Sequence, residues 1–347
     1  MFYKSVIRPI LFLLSPETIH NLLFLVFRHC PFIGKLISFS LNGTLRKDAR
    51  TIEAFGLHFR HPVGLAGGMD KKAIALRFLK NIGFSFIEVG TVTPLPQKGN
   101  PKPRLFRLKR NSAMINRMGF NNPGVVEMAK NLKYRPSGVI IGGNIGKNSI
   151  TGNEQAWQDY VTCFHELYPW VDYFVVNVSC PNIKDLSKLQ NKDSLAEILH
   201  HLIRIRKEQV TYRPILMKVS PDLSLTQLDE VIEVIRQTGI DGVVATNTSI
   251  RRFGLDYSQD ELDRFGEGGL SGAPLASTST QIIRYLHEHL GEQFPIIASG
   301  GIMSEKDALE KLQAGATLVQ IYTGFVYEGP GLIGRIVKAW QKELRNS

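Results

Sequence analysis

A thiol, two carboxamides and a proline close an apolar run at Asn177-Val178-Ser179-Cys180-Pro181-Asn182. Pro181 removes a backbone donor and fixes φ, which ends a strand and holds Cys180 and Asn182 at one rim. A thiol placed there can act as a base, although the same pattern also describes a small buried cysteine in a strand-to-loop turn. Polar residues recur in the same way after other apolar runs: Asp70 and Lys71, Thr91, Asn144, Lys218, Thr246-Asn247-Thr248, Gly300-Gly301 and Tyr322-Thr323. Carboxamides both donate and accept, which suits a heterocycle with alternating carbonyl and N–H groups, and two lysines suit negative charge. Any one Asn or Thr could merely cap a helix. Their chemistry depends on being brought to one place.

The runs that precede them have strand length and lie at 63–66, 86–89, 139–141, 173–178, 215–219, 242–245, 296–298 and 318–321. Helical patterns follow most of them, at 72–80, 154–167, 195–207, 225–237, 278–289, 305–313 and 332–343, while 90–124 reads as irregular. Eight apolar strands alternating with helices, with no Pro- or Gly-rich linker between halves, predict an α/β fold: a parallel (β/α)8 TIM barrel. In that barrel these polar residues share the carboxyl-end rim, where such folds keep their active sites. Gly300-Gly301 after the seventh strand and Thr323-Gly324 after the eighth fall where barrels bind phosphate on bare backbone N–H groups. Gly268-Gly269-Leu270-Ser271-Gly272 adds a close-approach loop. Neither GxGxxG nor GxxxxGK[ST] occurs, so a mononucleotide such as FMN is expected rather than a dinucleotide or nucleoside triphosphate.

Composition bounds the partners. The 347 residues are 43% hydrophobic and can bury a large core, and a net charge of +11 favours anionic ligands or surfaces. Cys30, Cys163 and Cys180 are unevenly spaced with no CxxC pair, which argues against a disulfide framework or a zinc site and predicts no bound metal. The first forty residues stand apart. Tyr3, Val6, Ile7, Ile10, Leu11 and Leu14 have helical spacing, Ser15-Pro16-Glu17 stops that helix and caps another, and Ile19, Leu22, Leu23, Val26 and Phe27 form an apolar face on the second. Lys4, Arg8, Arg28 and Lys35 flank these faces. Neither segment is long enough to span a bilayer, so residues 1–40 are expected to lie on an anionic membrane as a helical subdomain beside a 41–347 barrel.

Taken together the motifs resemble the dihydroorotate dehydrogenase family. The resemblance rests on Gly64-Leu65-Ala66-Gly67-Gly68-Met69-Asp70-Lys71, Glu88-Val89-Gly90-Thr91-Val92-Thr93-Pro94, Lys102-Pro103-Arg104-Leu105-Phe106-Arg107 and Asn116-Arg117-Met118-Gly119-Phe120-Asn121-Asn122. It continues through Asn144-Ile145-Gly146-Lys147-Asn148, Ala245-Thr246-Asn247-Thr248 and Gly269-Leu270-Ser271-Gly272. The N-terminal helices, with Ser15-Pro16-Glu17 and His20, resemble the quinone-tunnel domain of the membrane-associated second class. The resemblance implies oxidation of (S)-dihydroorotate to orotate in pyrimidine biosynthesis, with FMN passing electrons to a membrane quinone. It implies a peripheral protein on the cytoplasmic face of the inner membrane, and no nucleic-acid partner. FMN contacts are implied for Gly67, Gly68, Met69, Asp70, Lys71, Thr91, Asn144, Asn177, Lys218, Thr246, Gly272, Gly301, Tyr322 and Thr323. Substrate contacts are implied for Lys71, Asn116, Arg117, Met118, Gly119, Phe120, Asn177, Asn182, Asn247 and Thr248. Cys180 takes the base position and removes the C5 proton of dihydroorotate while C6 delivers hydride; His20 and Arg107 resemble residues of the quinone end.

One residue departs from the pattern. Quinone-dependent members usually carry Ser at the base position and soluble first-class members carry Cys, so Cys180 joins a first-class base to a second-class N-terminus. The helical extension favours quinone over fumarate or NAD, because a tunnel needs a whole domain while Ser and Cys differ by one atom. A tRNA dihydrouridine synthase also resembles residues 177–181, but such enzymes lack the 116–122 loop and carry a C-terminal RNA-binding domain. A peripheral membrane flavoprotein that only binds a partner is the non-enzymatic alternative, separated by turnover of dihydroorotate.

Overall fold

The computed structural model describes residues 2–42, 51–179 and 192–346, so Cys180 and Asn182 lie outside the described residues. The barrel begins with a plug. Strands β1 (Ile52–Ala54) and β2 (Leu57–Phe59) pair antiparallel across Phe55-Gly56, whose φ values of 40° and 74° are the left-handed pair that a two-residue hairpin turn demands. Phe59 is fully buried against Phe86 at 5.3 Å, within a cluster that includes Tyr173, Leu216, Val244, Ile297 and Leu318. The hairpin therefore seals the amino-terminal mouth of the barrel.

The remaining strands are β3 (Val63–Asp70), β4 (Phe86–Val92), β5 (Leu105–Leu108), β6 (Ala113–Asn116), β7 (Ile140–Ile145), β8 (Tyr173–Asn177) and β9 (Ile215–Val219). They continue with β10 (Gly242–Ala245), β11 (Gly269–Gly272), β12 (Ile296–Ser299) and β13 (Leu318–Ile321). Strands β3, β4, β7, β8, β9, β10, β12 and β13 close in chain order into an eight-stranded parallel barrel. Successive residues alternate faces: Ile87, Val89, Phe174, Val176, Ile215 and Met217 pack outward under the helices, while Phe86, Tyr173, Val175 and Leu216 fill the interior.

The expected irregular stretch 90–124 is more ordered than its pattern suggested. It carries β5 and β6, and these join β11 in an antiparallel sheet of order β11-β6-β5, with Leu270 opposite Ile115 and Ile115 opposite Phe106. Gly269–Gly272, expected as a loop, is thus a strand. Its partners come from another excursion far away in the chain, a pairing that no local periodicity reveals.

The N-terminal region also differs from a simple pair of helices. Tyr3–Ile7 is π-helical and continues as Arg8–Leu11, Pro16–His29 follows with Ser15 capping Thr18, and Phe32–Asn42 is a third helix. The apolar positions of Pro16–His29 divide between two sides: Ile19 and Phe24 are buried on the barrel, whereas Leu22 and Val26, read as part of one face, are 49% and 38% exposed. Of the flanking cations, Lys4 pairs with Glu328 at 2.6 Å and Arg8 donates to the Tyr327 carbonyl at 3.1 Å. Arg28 and Lys35 face solvent.

Candidate active site

Period-two alternation places a polar layer directly above the apolar interior. Glu88 follows Phe86 inward on β4, Asn144 follows Gly142 on β7, Asn177 follows Val175 on β8, Lys218 follows Leu216 on β9 and Gln320 follows Leu318 on β13. These groups are wired together. Asn247 Nδ2 donates to Asn177 Oδ1 at 3.3 Å and Ser179 Oγ at 3.0 Å, and Asn177 Nδ2 donates to Thr91 Oγ1 at 2.8 Å. Thr91 Oγ1 donates to Asn144 Oδ1, and Asn144 Nδ2 to Glu88 Oε1 at 2.6 Å. Gln320 Nε2 reaches Glu88 Oε2 at 2.7 Å, and Lys218 Nζ lies 3.7 Å from Glu88 Oε1. Glu88 is fully buried and only accepts, so each amide in the chain has its orientation fixed from below.

Above this layer opens a cleft lined by Gly67, Gly68, Lys71, Thr91, Asn116, Met118, Gly119, Phe120, Asn144, Asn177, Lys218, Thr246, Asn247, Thr248, Gly272, Gly301, Tyr322 and Thr323. Every one of these was a candidate on sequence. Two glycines explain why the floor can approach a flat ligand: a Cβ at Gly67 would collide with the Glu88 carboxylate, and one at Gly301, φ 73°, with the backbone that opens the helix Ala276–Leu290. The opposite wall is the turn after β6, where Lys71 Nζ donates to Asn121 Oδ1 at 2.6 Å and the Asn122 side chain braces Thr93, Phe120 and Gly124. This cradle of bare glycine backbone, oriented amides and two lysines fits an anionic, heteroaromatic mononucleotide such as FMN.

Three candidates point elsewhere. Both Asp70 carboxylate oxygens accept backbone N–H groups, from Ile74 at 3.1 Å and Ala75 at 2.8 Å, and burial pushes its carboxyl up despite them. Asp70 therefore organises the turn after β3 and leaves the cleft to Lys71. Met69 borders the helical side rather than the cleft. Arg117 turns outward, donating to the Phe265 carbonyl with its guanidinium 4.7 Å from the Phe106 ring.

A second cavity lies between the N-terminal helices and the barrel. Its walls are apolar, including Leu11, Phe12, Ile19, Leu23, Phe24, Phe27, Met114 and Phe325, with His20, Arg107 and Tyr322 as its polar members. His20 stacks on Phe24 at 4.3 Å, and burial together with the Lys71 charge pushes it down to about 4, so it is neutral at physiological pH. Arg107 donates to the Leu14 carbonyl at 2.8 Å and sits 4.2 Å over the Phe12 ring, yet its Nε has no hydrogen-bond partner among the described residues. Tyr322 borders both cavities, and burial pushes its phenol up to about 12.

Known proteins share this architecture. The profile of the family described as Dihydroorotate dehydrogenase matches residues 50–344. A protein of Christiangramia forsetii named Dihydroorotate dehydrogenase (quinone) is 51% identical over 333 residues, covering 95% of this chain and 96% of its own, and one of Marinobacter nauticus with the same name is 43% identical, covering 98% and 99%. A crystal structure of DHODH in complex with ferulenol from Eimeria tenella superposes with a TM-score of 0.84 at 33% identity, covering 95% of this chain and 92% of that one. The chain belongs to the dihydroorotate dehydrogenase family.

For this dihydroorotate dehydrogenase the cleft also contains residues that were not candidates on sequence. Gln320, Ser271, Leu275, Ile302 and Met303 line it, and Glu88 lies beneath it. A signal existed for two of them. Glu88 and Gln320 are the lone polar residues in the runs Phe86-Ile87-Glu88-Val89 and Leu318-Val319-Gln320-Ile321, and alternation aims both inward. Ser271 had no such signal, because it enters through the non-local β11-β6 pairing.

Proposed function

We propose that this protein oxidises (S)-dihydroorotate to orotate in pyrimidine biosynthesis, with FMN and substrate in the polar cleft and a membrane quinone in the helical cavity. The observation that carries this reading is Tyr322, whose side chain is a wall of both cavities. The FMN would be held by Gly67, Gly68, Lys71, Thr91, Asn144, Asn177, Lys218, Thr246, Gly272, Gly301, Tyr322 and Thr323. When bound it supplies a two-electron acceptor that substrate can reduce and quinone can reoxidise. Asn116, Met118, Gly119, Phe120, Asn247 and Thr248, with Asn182, would bind the dihydroorotate amides, while the Lys71 ammonium would face its carboxylate. Cys180 would take the C5 proton as thiolate.

Arg107 and His20 would orient a quinone carbonyl by donating from Nε and from the neutral imidazole. Outward-facing Leu13, Leu25, Leu36 and Phe39, with Arg28 and Lys35 beside them, support docking of residues 1–40 on an anionic leaflet at the cytoplasmic face of the inner membrane. No single helix among the described residues is long and apolar enough to cross a membrane.

An anaerobic flavin spectrum tests the scheme. Dihydroorotate should bleach the bound flavin, and a quinone should restore its colour where fumarate and NAD do not; recovery with NAD or fumarate alone overturns the quinone assignment. Cys180→Ala should retain FMN and lose nearly all bleaching. Because a free thiol titrates near pH 8.5, roughly, and a serine hydroxyl far higher, Cys180→Ser should move the pH dependence of bleaching alkaline. Bleaching of Cys180→Ala at the parental rate removes Cys180 as the base.

A further inference from the structure

Glu88 has no exposed surface, yet it carries a carboxylate in the middle of the barrel. A buried charge of that kind persists only when it is paired and hydrogen-bonded. Its two oxygens take donors from Asn144 at 2.6 Å and Gln320 at 2.7 Å, both neutral, and the cation within reach is Lys218 Nζ at 3.7 Å. Lys218, Asn144 and Gln320 all line the cleft, whereas Glu88 does not. The carboxylate is thus one layer below the site, in contact with three groups that border it. Gly67 is also involved: its missing side chain is what lets β3 pass over the carboxylate, since a Cβ there would strike Glu88 Oε1.

We propose that Glu88 is a positioning residue that sets the electrostatic field at the cofactor: it is the counter-ion that anchors Lys218 in the floor of the cleft and offsets its charge, and its acceptor-only oxygens aim the Asn144 amide. The inference rests on the reading of the cleft as the FMN site. Two buried unit charges 3.7 Å apart act on a neighbouring ligand as a dipole rather than as a cation. Removing the negative end exposes the full charge of Lys218, which favours the more negative, reduced form of the cofactor. Removing the positive end leaves a buried anion beneath it, which disfavours both that form and the fold.

The experiment is a charge cycle read by the midpoint potential of bound FMN. Glu88→Gln keeps the shape and the oxygen that Asn144 needs, and Gln320 Oε1, which has no hydrogen-bond partner among the described residues, can turn to accept from the new amide. Glu88→Gln should raise the potential, shifting the two-electron equilibrium about tenfold or more toward reduced FMN, which is about 30 mV. Lys218→Met should lower it and also lower the Tm of the cofactor-free protein. The double variant should return both quantities toward parental values, because the pair is removed as a neutral unit.

A Glu88 that serves only to fill space predicts no such ordering. A potential in Glu88→Gln at or below the parental value, with FMN bound, overturns the proposal. If Glu88→Gln does not fold, the comparison of Lys218→Met with the double variant decides, and equal potentials and Tm values in those two also overturn it. Failure of the parental protein itself to bind FMN would instead sink the reading of the cleft, and the role of Glu88 with it.

Discussion

The two cavities that meet at Tyr322 are built by opposite means. The polar cleft is assembled from strand ends whose spacing the barrel's hydrogen bonds dictate, and its side chains are cross-linked from Asn247 through Asn177, Thr91 and Asn144 to Glu88. The apolar cavity is assembled by laying helices on the barrel, held by scattered polar contacts such as Arg104 to Glu17 at 2.7 Å, Arg107 to the Leu14 carbonyl, Tyr3 Oη to the Val326 carbonyl at 2.7 Å, Arg8 to the Tyr327 carbonyl and Lys4 to Glu328. A rigid wired site suits chemistry that needs atoms held within fractions of an ångström. A packed apolar site suits a long hydrophobic ligand entering from a membrane. Damage to the first should therefore abolish substrate oxidation, and damage to the second should spare it.

The largest effect is expected at the node of the network. Asn177→Leu removes the donor to Thr91 and one acceptor of Asn247 together, leaving Thr91 held by Asn144 alone and Asn247 by Ser179 alone. Flavin reduction by dihydroorotate should fall roughly a hundredfold or more, with weakened FMN retention, since oriented polar groups of this kind typically contribute that much. Stopped-flow bleaching measures it, and a parental rate would show that the wiring is not needed for the chemistry. Next comes deletion of residues 1–40, expected to abolish turnover with a hydrophobic quinone while flavin reduction survives. The truncation uncovers Phe78, on which Phe27 stacks at 3.7 Å, so it should be assayed in detergent. Parental quinone turnover in a folded truncation would remove the helices from the acceptor site.

How much of this was legible in the sequence follows the same division. Barrel strands are buried on both faces, so they read as continuous apolar runs, and their boundaries emerged within a few residues; the polar residue ending each run marked the rim. Lys71, Asn144, Asn177 and Lys218 were found that way and line one cleft. Glu88 and Gln320 lie within strands rather than after them, so the residue that ends each run does not mark them. The β5-β6-β11 sheet was not legible, as its strands are short and pair across distant segments. Nor was the division of Pro16–His29 into a barrel side with Phe24 and an outer side with Leu22 and Val26: periodicity reveals that a helix is apolar, not how many surfaces it serves. The directions of the Asp70 and Arg117 side chains were not legible for a related reason, since position in a motif does not say where a side chain turns.

A smaller effect should follow from loosening the helices without removing them. Arg104 is buried, donates to the Lys98 and Asn100 carbonyls, and forks onto Glu17 at the first turn of Pro16–His29. Burial works against the Glu17 charge, but the hydrogen bond and charge of Arg104 outweigh it and hold the carboxyl below its usual range. Glu17→Ala leaves the Arg104 cation without its partner and should destabilise helix docking by about 3 kcal/mol. Quinone KM should rise severalfold, and the rate of flavin bleaching by dihydroorotate should stay as it was. A matched loss in both half-reactions would mean that the clamp supports the cleft as well, erasing the separation between the two regions.

The smallest effect is a pH dependence confined to the helical side. His20 has its folded pKa depressed to about 4 by burial and by Lys71, against an unfolded value near 6.5. Above 6.5 the ring is neutral in both states and contributes nothing to the pH dependence. As pH falls from 6.5 toward 4 the undocked ring takes up a proton that the docked ring refuses, so docking weakens through that window, by up to on the order of 3 kcal/mol at its lower end. Glu17 has the opposite sign of charge but the same acid-side consequence, and it acts later: its pairing with Arg104 is present above the ordinary carboxylate range and is lost as pH drops below it. Two acid limbs should thus appear in quinone turnover, the first from His20 and the second from Glu17. His20→Leu keeps apolar contact with Phe24 and cannot be protonated, so it should abolish the upper limb and leave the lower one. Protease sensitivity of residues 2–42 as a function of pH, measured alongside turnover, reads docking directly. An unchanged upper limb in His20→Leu would assign that limb to another group and leave the Glu17–Arg104 pair as the proton-sensitive contact of the helical side.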